Sequence, residues 1–312
     1  MGWEMYKLAC EFSKALNMHT LDSTDDSITH SSPSADFDRM GMWELMHLDL
    51  FYRLMHDKPA TISASVNKWR VNLPTLSADL HYDAHASIPT VSFMVRSRVT
   101  FILFRYFQLL DYHHEQQDMT GSIEQLCTEI SDINHEWQIV GHVLSNLSQT
   151  FQADMNQDSW VEEVKNDDIK SWILIKLSLE SDAAILFMLR KAKSLSTGAE
   201  FPLFQGYSVP TSDLAVGAAR RNLVRVQQML RVFKFPASET ISVLFGTCHV
   251  YFAFACIALA VLQETQTVQR EQDMDLLEKT AQCIADSSYE ADCKPFAKYL
   301  QYINLQLRQN KI

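Results

Sequence analysis

At 312 residues and 47% hydrophobic, the chain can bury a large core, as one big domain or two closely packed ones. Its 8 Gly and 8 Pro are few for that length, and sparse turn punctuation among many helix formers predicts an all-α protein. The net charge of -11 argues against direct nucleic-acid binding, because neutralising phosphates needs a surplus of Lys and Arg.

The chain opens without a basic region followed by an apolar run, so no secretory leader is expected. Residues from about 2 to 18 predict a helix, with Trp3, Tyr6, Cys10, Ser13 and Leu16 recurring every three or four positions. Residues 20–34 are polar and predict a loop. A second helix is expected over about 37–55. Residues 57–82 read as irregular, limited by Pro59 and Pro74. A helix over about 90–112, carrying Phe93, Phe101, Ile102, Phe104 and Phe107, is apolar nearly all round and is expected at the centre of the core.

Ile123, Leu126, Ile130, Ile133, Trp137, Val140, Leu144, Leu147 and Phe151 then form a heptad-like stripe, with Ser122 and Gln125 as a capping box. A long intradomain helix packed antiparallel to its neighbours is expected. An intermolecular coiled coil is the alternative, disfavoured because the flanking positions lack a regular Glu/Lys pattern. Asp167 or Asp168 is expected to cap the next helix, which runs to about 194. Beyond a loop over 197–212, helices are predicted over about 213–233, 237–264, 273–285 and 293–309. There is no repeat at a solenoid period and no low-complexity tract.

Few residues suggest chemistry. The six cysteines, Cys10, Cys127, Cys248, Cys256, Cys283 and Cys293, lie far apart with no Cys-x-x-Cys pair, which implies a reducing compartment and no zinc cluster. Residues 241–262 are uncharged for about 22 positions, enough to span a bilayer. His249 within that run, Gly246, and the lack of aromatic-basic anchors favour a buried helix instead.

His81, Asp83 and His85 alternate, so in an extended segment they would share one face and could bind a metal; a polar loop is the preferred reading. His113, His114 and Glu115 suit a helix end, where cationic His meets the dipole. Asp25-Asp26 and Asp167-Asp168 lack the further acidic residue a magnesium site needs. Arg220, Arg221, Arg225, Arg231 and Lys234 put positive charge on one helix, expected to be solvated or paired internally, with an acidic partner as the alternative. No nucleophile elbow, phosphate loop or dinucleotide fingerprint occurs. No catalytic, cofactor-binding or metal residue is therefore assigned.

One stretch carries a family resemblance. Ala9, Ala15, Leu16, Met18 and His19 end the first helix. Arg39, Trp43 and Asp49 mark the second, Lys58-Pro59 a turn, and Val71 to Pro74 an extended piece. In that order they resemble the regulatory, or middle homology, domain of fungal zinc-cluster transcription factors. The likeness is specific over about 65 residues, in a motif region of about 2–75, and only compatible over a helical bundle of about 90–312. Asn17 stands where the family usually has Gly, a second aromatic after Trp43 is lacking, and the family's zinc cluster and leading helices are absent from the chain, which reads as a shortened member.

The resemblance implies a single all-helical regulatory-type domain of 1–312, a multi-helix bundle in which a Trp-and-Asp-bearing helix locks a proline-fixed loop. A buried Asp49 beside backbone donors, or beside Arg53 one turn away, would be the clamp. It further implies a transcription-regulator-like protein of a fungus, nuclear or alternatively cytoplasmic, with a possible tie to secondary metabolism. Such a protein would act through a protein partner, a transcription factor or itself, or by sensing a small apolar ligand. No direct nucleic-acid contact and no membrane are expected. The alternative is a cofactor-free cyclase or isomerase on a recruited regulatory fold, with His47, Asp49, His81 and Asp83 as the residues to test.

Overall fold

The structure, a computed structural model, describes residues 2–22, 33–63, 68–74, 84–112, 119–152, 160–197, 209–232, 249–264, 266–287 and 294–309. Side chains at 138–171 lie outside that description. All regular structure among the described residues is helical, and none of it is strand. The chain divides into two compact units, Met1–Tyr112 and His113–Ile312.

The N-terminal unit holds α1 (Gly2–Ala15), a single 3-10 turn (Met18–Thr20), α2 (Pro33–His56) and α3 (Ala84–Tyr112). The first helix turns Tyr6, Cys10 and Ser13 inward at helical spacing. Tyr6 and Cys10 pack with Met46 and Ile62, while Trp3, Tyr52, Trp69 and Phe104 close the cluster. Leu16, expected on that buried face, is 71% exposed. The helix has already ended there, because Asn17 takes a left-handed conformation at φ 55.

α2 ends the same way. Asp57 sits at φ 48, and the Lys58 N–H donates back to the Tyr52 carbonyl at 3.3 Å, so a left-handed residue ends the helix. α3 begins at Ala84, before the predicted start at 90, and packs with α2 inside this unit. It is not buried all round. Phe93, Val99, Ile102, Leu103, Tyr106 and Phe107 are buried, but Met94 and Phe101 are 44% and 46% exposed.

The C-terminal unit holds α4 (Met119–Gln152), α5 (Trp160–Thr197), α6 (Asp213–Val232), α7 (His249–Gln263), α8 (Thr267–Ser287) and α9 (Lys294–Gln309). α4 packs on α5, α5 on α6, and α6 on both α7 and α8. Ile123, Leu126, Ile130, Ile133 and Trp137 are all buried, so the described half of the heptad-like stripe is spent inside the unit, against α5. Two expected start signals fall inside helices. Ser122 lies beyond the start of α4 at Met119, and Asp167 and Asp168 lie beyond the start of α5 at Trp160.

Within α5, the described residues 181–189 are buried on every side. Its sequence hides this, because Ser181 and Asp182 interrupt the apolar run. α6 approaches its neighbours through Ala215, Ala218 and Ala219, all buried. Of the uncharged run 241–262, residues 241–248 lie outside the described set. The remainder forms α7, which buries Val250, Ala253, Phe254, Ile257 and Val261 and packs on α6 and α8. No described helix is long and apolar enough to cross a membrane.

Candidate functional site

The densest set of long-range polar contacts lies in the N-terminal unit, and α2 organises it with two stripes. Arg39, Trp43 and His47 recur every four residues and so lie along one side. Met42, Met46 and Asp49 lie beside them along another.

On the first stripe, the Arg39 guanidinium meets the Asp22 carboxylate through Nε and Nη2, the closest contact being 2.6 Å, and reaches Asp36 at 2.7 Å. Asp22 also accepts the Asn72 N–H at 2.7 Å. The Arg39 hydrogen bond, assisted by that of Asn72, holds the Asp22 carboxyl below its ordinary value. Trp43 donates its indole N–H to the Asn72 carbonyl at 3.0 Å. Two backbone bonds, Asp22 N–H to the Arg70 carbonyl and Arg70 N–H to the His19 carbonyl, complete the attachment of 70–72 to 19–22. His47 faces α3. The Thr100 hydroxyl donates to the Arg96 carbonyl at 2.7 Å, so its oxygen accepts from His47 Nδ1 at 2.8 Å.

On the second stripe, Asp49 is 1% exposed. Its carboxylate accepts the N–H groups of Thr61, Ile62 and Ser63 at 2.8–3.1 Å, the Ser63 hydroxyl at 2.6 Å and the Tyr6 hydroxyl at 2.9 Å. Burial, with contributions from Cys10 and Asp49, pushes the Tyr6 phenol far above its usual range. This is the clamp by backbone donors. Arg53 takes no part in it; it pairs with Asp111 at 2.7 Å and stacks on Phe107.

Of the remaining motif residues, Lys58 sits 5.9 Å from the Trp3 ring, Pro59 is exposed and Pro74 is buried. Trp43 and Asp49 therefore grip different segments. Asp49 holds the loop that follows Pro59, and Trp43 holds the extended piece that ends at Pro74. A cavity of about 240 Å³ lies beside this lock, against α1, α2 and the Ile62 and Trp69 segments.

Every oxygen of Asp49 is committed to holding backbone, and His47 is turned to another helix. The two do not converge on a reacting centre. His81, Asp83, His113, His114, Glu115, Asp25 and Asp26 lie outside the described residues. His85 lies in the first turn of α3 and not in the polar loop expected for it. Among the described residues no group of three His, Cys, Asp or Glu could hold a metal ion.

The α6 cations are paired internally. Arg220 makes a two-point contact with Asp273 at 2.8 Å, Arg221 reaches Asp182 at 2.7 Å, and Arg225 donates to Gln228 at 2.8 Å. The side chains of Arg231 and Lys234 are outside the description. Cys10, Cys127, Cys256 and Cys283 are buried. Burial raises the first three, Cys256 to about 12, the opposite of what a nucleophilic thiol needs. Cys248 and Cys293 are outside the described set.

Sequence reasoning missed Asp22 and Tyr6, the outer partners of the lock. Asp22 sits in a polar loop where carboxylates are ordinary, and Tyr6 reads as one more apolar position. It also missed a second stripe on α1. Met5, Leu8 and Phe12 on α1, and Leu16 just past its end, are 61%, 44%, 61% and 71% exposed, at a spacing that could have revealed it. No protein-family model, curated protein or solved structure matches the chain.

Proposed function

We propose that this chain is a transcription-regulator-like protein that works by contact with a protein partner and carries no DNA-binding cluster in the sequence at hand. The observation that carries the reading is the outer face of α1, where Met5, Leu8 and Phe12 stand exposed in one stripe, with exposed Leu16 just past the helix end. Exposed apolar stripes at helical spacing suit the groove-and-helix mode of protein recognition. The same helix is held rigidly from behind, by Tyr6 on Asp49 and by Lys14 Nζ on the Thr61 carbonyl at 2.9 Å. A pre-positioned helix loses less freedom on binding.

The order of Arg39, Trp43, Asp49 and the two segments they grip supports the resemblance to fungal regulatory domains, and the regulatory role and nuclear location come from that resemblance. Partner binding is preferred to catalysis because His47 and Asp49 hold separate segments and do not pair as acid and base.

The test is a reporter assay with the full chain fused to a heterologous DNA-binding domain in yeast. Reporter output is expected to change relative to the DNA-binding domain alone, and the Leu8→Glu/Phe12→Glu variant is expected to abolish that change at equal protein level and helicity. Output indistinguishable from the bare DNA-binding domain, or unaffected by the variant, removes the proposal.

A further inference from the structure

We propose that the cavity beside the lock is a binding site for a small aromatic carboxylate, one or two rings in size. This goes beyond the regulatory reading and holds or fails by itself.

Size comes first. The cavity measures about 240 Å³, just under the roughly 300–1,000 Å³ of sites for drug-sized ligands. That fits a compact ring system with one polar group. Its apolar walls are Met42, Ile62 and Trp69. Met42 and Ile62 are buried, and Trp69 donates its indole N–H to the Val71 carbonyl at 3.3 Å. The polar atom of the indole is thereby occupied, and its ring serves as wall. Flat apolar walls around a few placed polar groups are the ordinary makeup of a metabolite site.

The polar groups specify the charge. Lys14 from α1, Lys68, His19 and the Ser13 hydroxyl complete the lining, and no Asp or Glu does so among the described residues. In a chain of net charge -11, two ammonium groups without a lining carboxylate make a local preference for anions. Lys14 spends one of its three donors on Thr61 and is held in place by that bond. Lys68 is exposed and makes no ion pair among the described residues. His19 also lines the cavity, its backbone fixed by the Arg70 N–H at 2.8 Å.

Calorimetric titration of the full chain with indole-3-carboxylate, and separately with indole-3-carboxamide, tests this. The carboxylate is expected to bind saturably and the isosteric amide about tenfold more weakly, as loss of a charge-assisted hydrogen bond implies. Lys14→Gln/Lys68→Gln is expected to lower carboxylate affinity about tenfold and to leave the amide unchanged. Ser13→Leu, which fills the cavity without altering charge, is expected to abolish binding of both. Equal affinity for carboxylate and amide overturns the proposal, as do displacement by an equal concentration of inorganic phosphate, binding that survives Ser13→Leu, and no saturable binding up to the solubility limit. None of these readouts involves transcription, so their failure is separate from failure of the reporter assay.

Discussion

The carboxylate of Asp49 on α2 accepts the phenol hydrogen of Tyr6 on α1 at 2.9 Å, across 43 positions of sequence. A carboxylate that is 1% exposed persists only if its lone pairs are satisfied. Here the satisfaction comes mainly from three consecutive backbone amides. Asp49 thereby ties two helices and a loop at a single point, and α1 inherits its orientation from that tie.

Asp49→Ala should therefore be far more damaging than Tyr6→Phe. The first leaves one buried and two partly buried N–H groups and a phenol unmatched and should cost on the order of 3–5 kcal/mol. The second removes one hydrogen bond worth about 1 kcal/mol. Chemical denaturation gives the two values, and amide exchange at Thr61, Ile62 and Ser63 should accelerate strongly only in Asp49→Ala. Similar effects for the two variants would show that the carboxylate does not organise the loop.

Acid should open the Arg39 attachment. The folded value of Asp22 is lowered, chiefly by the Arg39 hydrogen bond. Its contribution is thus complete above the unfolded value of about 3.9 and is lost as pH falls through the lower folded value. Asp22→Asn should remove that acid-limb dependence. It should also cost on the order of 3 kcal/mol at neutral pH, because Arg39 stays buried with only Asp36 to face. Denaturation midpoints measured from pH 2 to 7 for both proteins check the sign, and parallel curves would refute it.

The all-helical fold was legible in composition and in three- to four-residue spacing, because α1, α4 and α6 each bury one face. The central helix of the C-terminal unit was not. Asp182 breaks the apolar run of α5, and its partner Arg221 lies on another helix that the α5 sequence does not reveal. The lock was half legible. Trp43 and Asp49 stand out as a polar atom and a charge within an apolar pattern. Which segment each grips depends on backbone groups of 61–63 and 72, and backbone donors leave no trace in residue type. Helix starts were misplaced for a similar reason, since Ser122 and Asp168 are good caps that the chain places inside longer helices.

Asn17 offers a sharper test of backbone geometry. It sits at φ 55 with no side-chain capping bond, so its role is conformational, and its carbonyl accepts from Thr20. Asn tolerates the left-handed region better than other side-chain-bearing residues, and Gly better still. Asn17→Gly should change stability by only a few tenths of a kcal/mol, whereas Asn17→Ala should cost about 1 kcal/mol. Thermal melts of the three proteins decide. An Ala variant as stable as the Gly variant would mean the turn can relax to another conformation.

The C-terminal unit should respond to pH in the opposite direction from the Asp22 attachment. Burial pushes the Asp182 carboxyl up to about 6, against the pull of Arg221, and Oδ2 is buried with no partner. A carboxyl raised in the folded state favours folding most when protonated. Its contribution is complete below the unfolded value of about 3.9 and declines as pH rises through 6. The decline amounts to roughly 3 kcal/mol at most. Asp182→Asn mimics the protonated form, and Arg221, whose side chain is 36% exposed, can turn to solvent. The variant should therefore flatten the decline in stability between pH 4 and 7 and match or exceed the parent protein at neutral pH. Amide exchange in α5 and α6 at pH 5 and pH 7 reads this locally. A variant that is less stable than the parent by several kcal/mol at pH 7 would mean that the ionised pair with Arg221 prevails over burial.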